Sequence, residues 1–231
     1  MNGAADARWF AVLGADDAVA GHIAQAQLFD RELAVWRSDD GEIHAWENRC
    51  PHRGMRLTMG TNLGAELRCR YHGWRFGASD ARCTLIPAHP KQTPPPAAVV
   101  QTYRTLERYG LLWVAWGDPA TEPALPLDGD SHLRLRSSVV HAPVADVAAA
   151  LSMDAGVHVH DDYTASTDAV ASDVRVPVVL LLQPVTETTT NLHGVAGIEL
   201  AGAPRVEFLR EQNERFKAIR HESEHLRSLV S

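Results

Sequence analysis

Cys50-Pro51-His52-Arg53-Gly54 is followed, with sixteen residues between His52 and the next cysteine, by Cys69-Arg70-Tyr71-His72-Gly73-Trp74. Each segment carries one thiol and one imidazole, the side chains that hold soft and borderline transition metals. With two of each, one available chemistry is a [2Fe–2S] cluster in which two thiolates bind one iron and two imidazoles the other. A tight Cys-x-His or Cys-x-x-His turn places both side chains on the same side of a loop, where each reaches a different iron. Pro51, Gly54 and Gly73 are the residue types that such turns and close backbone approaches need. Two other readings of the same residues stay open. The four could hold a structural zinc tetrahedrally, or the cysteines could be buried simply as small hydrophobes.

The elements that must position these segments read as short strands. Trp9–Leu13, His22–Leu28, Glu32–Ser38 and Glu42–Glu47 have strand composition, and Asp39-Asp40-Gly41 makes the last two a hairpin. Trp74–Phe76, Thr102–Arg108 and Leu111–Trp116 continue the pattern, which suggests a small antiparallel β domain. Pro94-Pro95-Pro96 is a rigid surface connection, and Asp118 to Asp130 has the composition of an interdomain linker. Beyond it, His132–His141 reads as a strand, Pro143 to about Ser152 as a short helix, and Asp173–Leu182 and Glu187–Leu200 as strands. The connection from His158 to Asp173 reads as polar loop, which leaves about three strands in this half. Val206, Leu209, Phe216, Ile219, Leu226 and Val230 fall on one face of a terminal amphipathic helix, with Arg210, Glu214, Lys217 and Arg227 elsewhere. The expected domains are 1–118, a linker at 119–131, and 132–231.

Composition sets outer limits. The chain has 231 residues, 45% hydrophobic and 22% charged, enough for one or two domains with real cores. A net charge of −7 argues against nucleic acid and anionic membrane surfaces as partners. No apolar run reaches the roughly 18 residues of a membrane span. Three cysteines are too few for a disulfide framework and suit a reducing compartment or a metal role. Met1 to Gln25 lacks a basic start and an uninterrupted apolar stretch, so a cytoplasmic chain, complete at that end, is expected.

Residues 6 to about 118 resemble the Rieske domain of the oxygenase components of Rieske non-haem iron oxygenases, the vanillate O-demethylase type in particular. The resemblance rests on Cys50 to Gly54, on Cys69-Arg70-Tyr71-His72-Gly73-Trp74-Arg75-Phe76, on Cys83 with Ile86-Pro87, and on Tyr109-Gly110 through Trp113 to Trp116-Gly117-Asp118. It implies that Cys50 and Cys69 bind one iron of the cluster and His52 and His72 the other. Respiratory Rieske proteins carry a membrane anchor and a second cysteine pair. Cys83 has no partner for such a bond, so the oxygenase type fits better.

In that family a second domain, of helix-grip type, binds a mononuclear iron between two histidines and a carboxylate. The histidines follow a helix whose aspartate bridges to the Rieske histidine of a neighbouring subunit. The equivalent helix resembles Asp146–Met153. Aligned on Leu151-Ser152, the bridging aspartate falls at Ala150 and the first histidine at Met153, so that only His158 matches. Alanine accepts no hydrogen bond, and a thioether is a poor ligand for hard iron(II). A rearranged site would draw on Asp154, His158, His160 and Glu222, the last being the terminal helix's nearest match to the family carboxylate and lying on or beside its inward stripe.

The expected architecture is therefore mainly β, or α+β. An N-terminal Rieske β domain is followed by a shortened helix-grip-like α+β domain with a C-terminal amphipathic helix. The expected function is an electron-transfer or accessory subunit without an intact mononuclear iron site. It would accept electrons from a reductase or ferredoxin and serve a full-length oxygenase subunit or a homo-oligomer. The alternatives are an active monooxygenase that hydroxylates or O-demethylates a small aromatic, and a structural or regulatory subunit of an oxygenase assembly.

Overall fold

The computed structural model describes residues 7–230, with side chains as far as Leu226. The elements run β1 (Arg8–Gly14), β2 (Ile23–Leu28), β3 (Arg31–Arg37), β4 (Ile43–Glu47), β5 (Thr61–Asn62), β6 (Glu66–Arg68), β7 (Arg75–Gly77), β8 (Cys83–Leu85), β9 (Thr102–Tyr103), β10 (Thr105–Arg108) and β11 (Leu111–Trp116). They continue with β12 (Leu133–Arg134), β13 (Ser138–Val140), α1 (Val144–Met153), β14 (Val157–Asp161), β15 (Thr164–Ala171), β16 (Val174–Thr186), β17 (Thr189–Ala196) and α2 (Gly202–Val230). Two units divide between Thr121 and Glu122, and the second also takes in Leu28–Asp30 and Tyr109–Leu111.

The first unit contains, among the described residues, three small sheets, ordered β1-β11-β10, β2-β3-β4-β9 and β5-β6-β7-β8. Trp36, Trp46, Leu57, Leu67 and Phe76 are buried in one cluster that also contains Cys50, Cys69 and Cys83. β4 delivers the chain to the first cysteine segment, and the second is the loop joining β6 to β7, whose register pairs Leu67 with Phe76 and Arg68 with Arg75. Asn48, itself buried, fixes the entry to the first segment. Its N–H donates to Glu32 O at 2.9 Å, and its Oδ1 accepts the Thr58 N–H at 2.8 Å. The side-chain oxygen thus satisfies the Thr58 amide, and the side-chain nitrogen donates to Glu32 Oε2 at 3.2 Å, so main chain and side chain together tie down the loop entry.

The second unit is one antiparallel sheet, ordered β12-β17-β16-β15-β14 with β13 also on β17. Its core takes Val176, Val178, Leu180 and Leu182 from β16, Val147 and Leu151 from α1, and Phe208, Phe216 and Ile219 from α2. Four expectations need correction. The stretch after His158 is no loop but the β14–β15 hairpin, so the sheet has six strands rather than about three. Small inward residues hide it: Ala165, Thr167, Ala169 and Ala171 alternate with the exposed or half-buried Thr164, Ser166, Asp168 and Val170, and their burial involves little apolar area. Asp173 lies in the following turn, with Ser172 and Asp173 both at positive φ as a two-residue hairpin loop requires. His132–His141 is two short strands rather than one, with Leu135 N–H bonded to Gly194 O between them. On α2 the buried positions are Phe208, Gln212, Phe216, Ile219 and Ser223, while Val206 is 68% exposed. The side chains of Arg227 and Val230 lie outside the described residues.

One buried polar network belongs to this sheet. His193 is 1% exposed. Its Nδ1 accepts from Ser137 Oγ at 2.7 Å, and its Nε2–H donates to Gln183 Oε1 at 2.8 Å, an oxygen that also accepts from Asn191 Nδ2 at 2.9 Å. Burial, with a smaller contribution from the Arg134 charge, pushes His193 down to about 4, so the ring is neutral at pH 7. The unfolded chain, with an ordinary imidazole near 6.5, binds more protons between those values. Stability is therefore fully present above about pH 6.5 and is lost as pH falls to 4. Denaturant unfolding at a series of pH values should show a loss on the order of 3 kcal/mol across that window. The slope should flatten in a His193→Gln variant.

Candidate metal centre

The two cysteine segments share one backbone frame although their sequences differ. Cys50 N–H donates to Met55 O, five residues on, at 2.8 Å, and Gly54 N–H returns to Cys50 O at 2.8 Å. Cys69 N–H donates to Trp74 O at 2.8 Å, and Gly73 N–H returns to Cys69 O at 3.1 Å. Gly54 and Gly73 hold φ of +73° and +71°, left-handed values at which a Cβ is strained. The frame turns each thiol inward and each imidazole outward. Cys50 and Cys69 are 2% and 3% exposed, His72 is exposed and His52 half-buried.

At the outer side, His52 Nδ1 and His72 Nδ1 stand 3.2 Å apart. Two nitrogens bound to a tetrahedral metal at ~2.0–2.1 Å would be separated by roughly 3.3–3.4 Å, so the pair is already set at the edge of such a tetrahedron. Trp74 stacks on His52 with centroids 4.3 Å apart and planes 7° from parallel, and Tyr71 stacks on His72 at 3.8 Å. These rings orient the imidazoles, a role not read from the sequence although Tyr71 and Trp74 belong to the motif. Desolvation, with the nearby His72 and Arg53, holds His52 below the ordinary imidazole value and so keeps it neutral, the form a metal needs.

At the inner side, burial pushes the Cys50 thiol up to about 11, and the neighbouring Cys69 thiol adds to the rise. The backbone N–H groups of His52 and Arg53 act in the opposite direction by hydrogen bonding toward the Cys50 sulfur, which favours the thiolate. Among the described residues, no three His, Cys, Asp or Glu side chains gather where one ion could be held. The four instead form a thiol pair and an imidazole pair. A structural zinc needs all four in one tetrahedron, whereas a two-iron cluster takes them as two pairs. The donor set and its arrangement fit the cluster.

The residues considered for a mononuclear iron are dispersed. Asp154 caps the end of α1, accepts the Gly156 N–H at 2.9 Å and lies 3.4 Å from Arg215 Nη2. His158 and His160 project from the edge strand β14, their rings edge-to-face at 4.6 Å, and His160 Nε2 meets Ser166 Oγ at 2.8 Å. Glu222 is exposed on α2, flanking the buried series that runs through Ile219 and Ser223 and not lying within it. Ala150 is buried, and Met153 is 59% exposed. No three of these side chains meet.

The duplicated turn with paired thiols and imidazoles defines a class of iron–sulfur domain, and residues 8–104 match the Rieske [2Fe-2S] domain family. The chain carries that domain and is related to Rieske oxygenase components. Oxidoreductase NdmD of Pseudomonas putida is 42% identical over 139 residues, 60% of this chain and 24% of that protein. The oxygenase component of chloroacetanilide N-alkylformylase of Rhizorhabdus wittichii is 39% identical over 112 residues, 48% of this chain and 31% of that protein. The chain thus spans about a quarter to a third of these relatives. Among solved structures, apo dicamba monooxygenase aligns with a TM-score of 0.75 over 95% of this chain and 85% of that chain, at 18% identity. That likeness of fold includes the second unit.

Gly73 tests the frame. A Cβ there would meet Pro87 Cγ at 3.1 Å as well as the strain of its φ. Gly73→Ala should destabilise the domain by about 1–2 kcal/mol and lower acid-labile sulfide per chain, measured by denaturant unfolding and sulfide assay.

Proposed function

We propose that the chain is a one-electron carrier, an electron-transfer or accessory subunit. It takes an electron from a reductase or ferredoxin and passes it to a full-length oxygenase subunit or a neighbouring copy. Cys50 and Cys69 would hold one iron of the cluster and His52 and His72 the other. The observation that supports this reading is the repeated turn, which buries two thiols and sets two imidazole nitrogens 3.2 Å apart nearer the surface. When bound, a cluster so ligated supplies a one-electron couple at ~ −150 to +300 mV.

The protein's own groups do the rest. The apolar cluster around Trp36, Trp46 and Phe76 excludes water from the thiol side. Tyr71 and Trp74 hold the imidazole planes, and the exposed His72 edge gives a short route for the electron. Among the described residues no helix is long and apolar enough to cross a membrane. Cys50, Cys69 and Cys83 are unpaired thiols, which suits a cytoplasmic setting where thiols stay reduced.

A second reading, a monooxygenase acting on a small aromatic, draws support from the fold shared with dicamba monooxygenase. It requires an iron site that His158, His160, Asp154 and Glu222 do not assemble.

Metal analysis separates the two. The carrier should hold two irons per two sulfides, and a third iron that supports oxygen-dependent turnover would overturn it. A His72→Cys variant should keep its iron and shift the midpoint potential toward the ~ −400 mV of plant-type ferredoxins. An unchanged potential would remove His72 from the ligand set.

A further inference from the structure

From Glu47 to Lys91 the chain carries eight Arg or Lys residues against three Asp or Glu, a local charge of +5 in a protein of net charge −7. The rest of the sequence is accordingly at −12. Within this segment Arg56, Arg75 and Arg82 are ion-paired with Glu32, Glu66 and Asp80. Arg49, Arg53 and Arg70 are exposed and have no ion pair among the described residues. All three adjoin the metal ligands in sequence: Arg49 precedes Cys50, Arg53 follows His52 and Arg70 follows Cys69. An open cleft of about 380 Å³ lies against the first segment, lined by Glu47, Arg49, Cys50, Arg53, Val99 and Gln101 among others.

Three uncompensated guanidinium groups contribute little to folding, and planar guanidinium forks are suited to binding carboxylates. Positive charge clustered in this way attracts an acidic macromolecule to the ligand-bearing segment. We propose that Arg49 and Arg53 at this cleft, with the exposed Arg70 of the second ligand segment, form the docking face for an acidic electron-donor protein, whose carboxylates engage the guanidinium groups. The inference rests on the carrier reading. In the transfer itself one electron leaves the reduced donor, which is oxidised by one, and the [2Fe–2S] centre is reduced by one, with no bond made or broken.

The test uses the cluster-loaded protein and a plant-type [2Fe–2S] ferredoxin as the acidic probe. Arg49→Glu/Arg70→Glu is compared with the parent and with Arg205→Glu on α2 as a charge-reversal control outside this segment. Arg53 is left intact because its charge acts directly on His52, so reversing it would also alter the environment of that ligand. Stopped-flow reduction by the reduced ferredoxin should slow at least ten-fold in the double variant at low ionic strength, and the difference should close in 0.5 M salt. Calorimetric binding of the oxidised ferredoxin should weaken in parallel. Reduction by photoreduced deazaflavin, a small uncharged donor, should be unchanged. Ferredoxin rates within two-fold of the parent, or an equal drop in Arg205→Glu, would overturn the docking face. So would an oligomer that the double variant dissociates while its ferredoxin rate is unaltered, since the arginines would then serve a second copy of the chain. A cluster that neither donor reduces, with ferredoxin binding still lost on charge reversal, would overturn the carrier reading and support the docking face.

Discussion

The hydrogen bond from a left-handed glycine back to the cysteine carbonyl four residues earlier is the contact on which the first unit depends. It closes each metal segment into a turn that buries the thiol while leaving the imidazole at or near the surface. A backbone bond of this kind contributes only about 1 kcal/mol net, yet leaving a buried cysteine amide or carbonyl unpaired would cost roughly 1–3 kcal/mol. Burial of Cys50 and Cys69 therefore requires the turn, and the turn requires Gly54 and Gly73. The surrounding sheets serve it: β6 and β7 hold the ends of the second segment in register, and Asn48 with Glu32 holds the start of the first. Met55 and Trp74 supply the closing carbonyls, so the residues just beyond each motif belong to the frame as much as the ligands do.

The second unit is organised around a different constraint. Its long strands β16 and β17 pair from Val178 with Ala196 to Thr186 with Thr189. Their two faces differ: one meets α1 and α2 through Val178, Leu180, Leu182 and Leu192, and the other carries Gln183, Asn191 and His193. A buried imidazole on the second face is tolerated only in its neutral form with both nitrogens bonded. Arg215 joins α2 to the sheet through Thr167 Oγ1 at 2.6 Å and reaches Asp154 at the end of α1. Asp154 is thus committed to capping and charge pairing through Gly156 and Arg215.

The first unit was largely legible in the sequence because its signals are large. Leu111–Trp116 is a strand with the bounds its composition suggests, and the Asp39-Asp40-Gly41 turn joins β3 to β4. The metal segments could be read from residue type and spacing alone. What spacing could not supply was the shared frame, since Cys-x-His and Cys-x-x-His look unequal until the glycine four residues after each cysteine is taken as the common point. The β14–β15 hairpin was illegible for an energetic reason: alanine and threonine gain little from burial, so their alternation leaves a weak hydrophobic signal. On α2, Ser223 is fully buried because its hydroxyl bonds Ile219 O within the helix, whereas Val206 stays exposed near the helix start. Polarity alone assigns both to the wrong side.

Net charge concealed the distribution of charge in the same way. A total of −7 describes neither the +5 of the metal-bearing segment nor the −12 of the rest. The distinction matters because an electron arriving at a metal centre adds one negative charge, which a low-dielectric interior disfavours and nearby cations favour. The thiol side of this centre lies in the core, and the imidazole side lies at the surface with Tyr71 and His72 exposed. Arg49, Arg53 and Arg70 stand exposed along the same segments. Added charge is therefore accommodated best on the side that faces water and the guanidinium groups. On the carrier reading proposed above, the turn that buries the cysteines thus also sets which side of the centre accepts the electron.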